Sequence, residues 1–404
     1  MKITLQFFLL IISTFSFSQE KEVISWINNN ATDLLHYSPK EFDSIIKYSN
    51  FNTIEADIYG FGEATHHNKE FSELKTSFFK FLVLNKKVKT FILEESYGAC
   101  FFINEYIHGN QGNLEDLILN FRQHIWKTEE VFDLISWMKV YNDGKPENEK
   151  ISIYGNDSMF NYGIDTIIKK LCLNENIKLN KEEVELLDYY SNSTFPKKSK
   201  QEELIKLFAR INQSHEIIQA TEALLHYIAF SENPTQKVRD QFMFENVFNI
   251  YENKKDKIFV WAHNEHIKKT NLFRDNVPSM GNHLSKKYGK KYFAVGFEFG
   301  IGTFFSFNQK ENKYSNVILE KPIKNTNSEF LFETKLDVFY LDFETANKNI
   351  LMNKFLSQKR DYLVIGAYGL VLEYLKYNYA RDKYNDMFDG LIYIKKVSNS
   401  INLK

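Results

Sequence analysis

IEADIYGFGEATHHNKEF, residues 54–71, holds the transition that decides the fold. An apolar stretch from Ile54 to Phe61 breaks at a Gly-Glu-Ala-Thr-His-His turn and opens a helix in which Phe71, Leu74, Phe78 and Leu82 recur at three- and four-residue spacing. Strand, tight turn and helix form the repeating unit of an α/β protein. Further β-rich runs follow at KTFILEES (89–96), ISIYGND (151–157), KIFVWAHNEH (257–266), YFAVGFEFG (292–300), DVFYLDFE (337–344), YLVIGAY (362–368) and GLIYIKKV (390–397). Val131, Leu134, Ile135 and Met138 mark a helix before the third strand. Near-continuous apolar strands separated by helices predict a mostly parallel central sheet flanked by helices on both faces.

Between residues 164 and 280 there is no glycine, and helix formers dominate, with breaks near Pro196 and Pro234. This predicts a large helical insertion over 161–255, set into a catalytic α/β domain made of 19–160 and 256–404. The first residues, MKITLQFFLLIISTFSFSQE, carry Lys2, an apolar run from Phe7 to Ile12, and small residues at Ser16 and Ser18. They read as a signal peptide over 1–18, cut after Ser18, which predicts export to the periplasm or the exterior. The apolar run is shorter than the roughly 20 residues a membrane span needs, so no membrane association is expected once the signal is removed.

The 404 residues are 43% hydrophobic and 25% charged, an ordinary globular composition. Lys+Arg number 51 against 52 Asp+Glu, so no global field draws the chain to nucleic acid, and a small, nearly neutral partner fits better. Some of the 37 Phe and 23 Tyr are available to line a site for a bulky apolar ligand. Cys100 and Cys172 are the only cysteines and do not make a disulfide framework.

In an open parallel sheet, ligands bind beyond the carboxyl ends of the strands. The first five strands deliver Glu63, His66 and His67; Glu94 and Glu95; Asn156 and Asp157; His263, Asn264 and His266; and Glu298. Four of the ten histidines thus fall at two strand ends. Taken singly, Glu95, His67 and Glu298 read as structural, whereas Glu63, His66, Glu94, His263 and His266 together read as a catalytic set. No G-x-S-x-G elbow occurs, Ser96 has no local signature, and Cys100 sits inside a helix as a small hydrophobe. What remains is an imidazole, oriented by a carboxylate, that takes a proton from water, and a second imidazole that polarises a carbonyl or protonates a departing alkoxide. That chemistry is direct attack of water on an ester or lactone. The rival use of the same groups is ligation of a metal or haem by His66 with His263 or His266, although the spacing is not H-E-x-x-H.

GEATHHNKEF resembles the GEATHG-x-x-EF signature of the erythromycin esterase family. The likeness continues through FILEES, WKTEEVFDLISWMKVYN (126–142), YGND (154–157), RDQFMFENV (239–247), VWAHNEH (260–266) and SMGNHL (279–284), spanning most of 54–300. The resemblance implies hydrolysis of a macrolactone ester, and with it macrolide resistance, without metal or other cofactor. It makes His66 the general base, Glu63 and Glu94 its supporting carboxylates, and His263 and His266 the pair at the carbonyl or leaving group. Lys75, Arg239, Asn264 and Asp157 are expected to contact substrate. The chain departs from the pattern at His67, which replaces a glycine, at Lys75, where active macrolide esterases tend to carry arginine, and at Asn156. Esters of the cell envelope or of polysaccharides are the alternative substrates.

Overall fold

Residues 54–71 fold as a strand, a turn and a helix: β2 (Ile58–Phe61) leads through the turn into α3 (Lys69–Lys86), whose Phe71, Leu74, Phe78 and Leu82 are all fully buried. The computed structural model describes residues 19–35, 39–193, 200–308, 312–366 and 379–404. The segment read as an export signal lies outside them. Contacts divide the chain into two compact units, the first comprising residues up to Glu55, Phe61–Ser77 and Phe293–Asn399, the second Ala56–Gly60, Phe78–Tyr292 and Ser400–Lys404.

In the first unit, a helix over 19–30 (α1) and a two-residue strand, β1 (Thr32–Asp33), precede α2 (Pro39–Lys47). The long strand β6 (Tyr292–Asn308) pairs parallel with β11 (Gly390–Val397), which pairs antiparallel with β8 (Val338–Asp342), and β1 borders β8. β6 runs well beyond Gly300, where the sequence pattern ended it, because Phe304 and Ser306 keep a buried face and β7 (Lys313–Leu319) returns antiparallel along it. Gly302 permits this extension: its φ is +134°, and a Cβ there would stand 2.0 Å from the carbonyl oxygen of Val397. The YLVIGAY run departs from expectation. Only its Tyr362 and Leu363 belong to a strand, β9 (Arg360–Leu363), which pairs antiparallel with β10 (Tyr379–Asp382) in a separate two-stranded sheet; residues 364–366 lie in no strand, and 367–368 lie outside the described set.

The second unit is built on β3 (Val88–Ser96), parallel to β4 (Ser152–Asp157) and to β5 (Lys257–Trp261), with sheet order β2-β5-β3-β4. Phe91, Ile92 and Leu93 are each buried, so both faces of β3 are covered, as a parallel sheet clad by helices requires. Three helices here start where a side chain satisfies a free N–H group: Ser96 caps α4 (Tyr97–Ile107), Asn113 caps α5 (Leu114–Leu119) and Thr128 caps α6 (Glu129–Asn142). Residues 164–254 supply α7 (Ile164–Asn174), α8 (Lys181–Asn192), α9 (Gln201–Ile211), α10 (His215–Glu232) and α11 (Gln236–Lys254). Ile168, Leu187, Leu204, Ile211 and Leu224 join helices α7 to α10 in one dry cluster. His263 caps the short α12 (Asn264–Ile267), and Ser279 caps α13 (Met280–Tyr288). Among the described residues, no helix is long and apolar enough to cross a membrane.

Candidate active site

The turn after β2 places three titratable side chains of the first unit on one another. Gly62 N–H donates to the Val295 carbonyl, Ile365 N–H donates to Ala64, and Asn68 bonds Thr303 and Ser398, so the bend is fixed on both flanks. His67 takes the left-handed conformation, φ 62°, at the position where the related signature has glycine, and its ring packs 5.1 Å from that of Phe305. His66 Nδ1 lies 2.5 Å from Glu63 Oε1, and the ammonium of Lys75 pairs with Glu63 Oε2; all three side chains are buried. Burial pushes the Glu63 carboxyl up, but Lys75 and then His66 outweigh it and hold the group at about 2. A permanently charged carboxylate only accepts, so the proton on the neutral ring sits on Nδ1, and Nε2 is the basic nitrogen. Lys75, expected to position substrate, is fully buried, with its Nζ on Glu63 and 5.5 Å from the Phe297 ring centroid.

The second unit gathers a larger cluster around one guanidinium. Arg239 donates from Nε to Asp157 Oδ1 at 3.2 Å, and from NH2 to Asp157 Oδ2 at 2.8 Å and to Glu94 Oε1 at 2.7 Å; its NH1 lies 3.0 Å from His266 Nε2. Burial alone would lower its pKa, yet Asp157 and Glu94 drive it further up. The other Glu94 oxygen accepts the His263 backbone N–H at 2.8 Å. Glu265 N–H donates to His263 Nδ1 at 3.2 Å, which makes Nε2 the proton-bearing nitrogen of that ring when neutral. His266 Nδ1 stands 3.0 Å from both oxygens of Asp240, and Asp240 also receives Met280 N–H. Burial lowers the His266 pKa, but Asp240 and Glu94 outweigh it, so the ring titrates above an ordinary histidine.

Glu94, Asp157, Arg239, His263 and His266 therefore meet within one unit, and Glu63, His66 and Lys75 within the other. Asn264 opens α12 and is buried. Arg239 and Asp157, expected at substrate, are spent on each other and on Glu94. The sequence reading gave Asp240 no role; it is buried beside Arg239 on α11, and both reach His266, Arg239 at Nε2 and Asp240 at Nδ1. Cys100 and Cys172 are free and buried, and burial pushes both thiols up, so neither is primed as a nucleophile. Among the described residues, no group of three or more His, Cys, Asp or Glu is placed to hold a metal ion.

A mostly parallel α/β fold bearing imidazole–carboxylate clusters, without a nucleophile elbow, defines the class. Residues 83–397 match the model of the erythromycin esterase family, and the chain belongs to that family of hydrolases. Over 288 residues, 59% of this chain and 68% of the relative, it is 25% identical to erythromycin esterase type II of Escherichia coli. Among solved structures, a Bacillus cereus protein superposes with a TM-score of 0.81 at 22% identity, covering 95% of this chain and 99% of that one. An erythromycin esterase mutant in its open conformation gives 0.60 at 16% identity, covering 92% and 98%. These structural likenesses show the fold.

Proposed function

We propose that the chain hydrolyses a carboxylic ester or lactone of a small molecule by attack of water, with His66 as general base. The observation that carries this reading is the Glu63–His66 pair of the first unit: the carboxylate fixes the ring with Nε2 as the proton acceptor, the capacity that taking a proton from water needs. In the second unit the Glu265 amide leaves His263 Nε2 as a proton donor, a capacity that suits a developing oxyanion. The family membership makes a macrolactone the first substrate to try, and the N-terminal residues support action outside the cytoplasm.

The test is product mass. Erythromycin A and a panel of small esters and lactones are incubated with the purified chain, with and without a chelator. Gain of one water on at least one compound, surviving the chelator, is expected. No gain across the panel, or gain abolished by the chelator, overturns the reading.

A further inference from the structure

We infer that the loop 121–126, pinned by Glu95, is a positioning element that sets the Glu94–Asp157–Arg239 cluster. This rests on the proposed hydrolysis for its functional meaning, but its geometry lies wholly within the second unit. The pairing of β3 with β4 shifts register between Leu93 and Ser96, the signature of a bulge, and bulges re-aim side chains beside active sites. The close approach of β4 to this bulge requires Gly155, where a Cβ would stand 2.3 Å from the Ser96 carbonyl oxygen and 2.5 Å from that of Glu95.

Glu95 is fully buried, and its carboxylate accepts N–H from Ser96 at 2.7 Å, Arg122 at 3.1 Å and Gln123 at 2.9 Å. A buried carboxylate is costly where an apolar side chain would fill the same space, and two of its three bonds, those from Arg122 and Gln123, hold the backbone of the loop. From that backbone two side chains turn back. Gln123 Nε2 donates to the Glu94 carbonyl at 2.5 Å and to Asp157 Oδ2 at 3.2 Å, and Trp126 Nε1 donates to the same Glu94 carbonyl at 2.8 Å. Asp157 Oδ2 is the oxygen that also receives Arg239. Gln123 thus fixes the rotamer of the carboxylate that aims the guanidinium, and Trp126 holds the strand end from which Glu94 projects.

Gln123→Ala is the decisive variant, because Gln123 is only partly buried and its loss leaves the Glu95 anchor intact. Expected results are a fall of about 10-fold in kcat with KM changed less than about 2-fold, the mark of lost orientation, and faster exchange of the Arg239 side-chain N–H signals in NMR spectra of arginine-labelled protein, assigned with Arg239→Lys. Unchanged Arg239 signals overturn the inference. If the wild type cleaves no ester while the Arg239 signals do change in Gln123→Ala, the positioning element stands and the hydrolase reading falls.

Discussion

The two clusters invert one another. In the first unit one carboxylate, Glu63, serves two nitrogen partners, Lys75 and His66; in the second one guanidinium, Arg239, serves two carboxylates, Glu94 and Asp157, with Asp240 behind His266. The surplus of acid in the second cluster favours the imidazolium, which is why His266 titrates high. In the first, Lys75 holds one oxygen of Glu63 and the other orients the His66 ring.

The largest effect should come from removing the shared cation of the second cluster. Arg239→Met leaves two buried carboxylates without their partner, and loss of one member of a buried charged network costs roughly 3–5 kcal/mol. Chemical denaturation at neutral pH measures it. A loss below about 1 kcal/mol, the size of a surface pair, would break the contrast drawn here. Next is His66→Ala, which should lower turnover by at least ~10²-fold, as for loss of a general base, while leaving the denaturation midpoint close to wild type. A folded variant with near-normal turnover would remove His66 from the mechanism.

Lys75→Met sharpens the comparison, because Glu63 keeps a partner that can become charged. The expected loss of stability is smaller than for Arg239→Met. Glu63 is held below its ordinary value, so in the wild type its contribution to stability is present above about 4.5 and lost as pH falls through about 2. In Lys75→Met the folded-state value rises, so the window narrows and the loss is complete at a higher pH. A profile of stability against pH that matches wild type in acid would show that Lys75 is not what holds Glu63 down.

How much of this was legible in the sequence follows from how local each cluster is. Glu63 and His66 lie on one turn between a strand and a helix, so spacing alone brought them together. Even Lys75 carried a signal that went unused: it stands four residues after Phe71 on α3, on the buried stripe that also holds Phe78 and Phe79, and a lysine there has to find an internal acid. The second cluster draws Glu94, Asp157, Arg239 and His266 from three strand ends and one helix. The strand ends were readable from the α/β alternation, but Asp240 depended on the rotation of α11 about its axis, which pattern does not fix. Gln123 had no signal at all, since it acts from an irregular loop anchored by a carboxylate that reads as a helix cap. The extension of β6 and the β7 hairpin escaped for a similar reason: KYSNVIL is too polar to announce a strand, and only pairing along β6 makes it one.

The smallest effect concerns one buried carboxyl in each unit outside the two clusters. Burial pushes Glu95 up to about 7 against the three N–H bonds it accepts, and pushes Glu298 up to about 8. Among the described residues neither oxygen of Glu298 makes a hydrogen bond of good geometry; the Tyr384 hydroxyl and Leu363 N–H stand near enough to lower its pKa only in part. Both groups bind their proton more tightly folded than unfolded. The stability they allow is therefore complete below about 4.5 and declines as pH rises, through about 7 for Glu95 and about 8 for Glu298. Each group adds a slope approaching about 1.4 kcal/mol per pH unit inside its window. Glu298→Gln should remove its share, so that wild type and variant diverge in denaturation midpoint between pH 5 and 8 and run parallel above it. Glu95→Gln should flatten the profile less, because the amide nitrogen faces backbone N–H groups that the carboxylate had satisfied, and that new conflict offsets the gain. If Glu95→Gln instead gains as much as Glu298→Gln, then the three N–H bonds contribute nothing to holding Glu95, and the carboxyls of the two units differ only in depth.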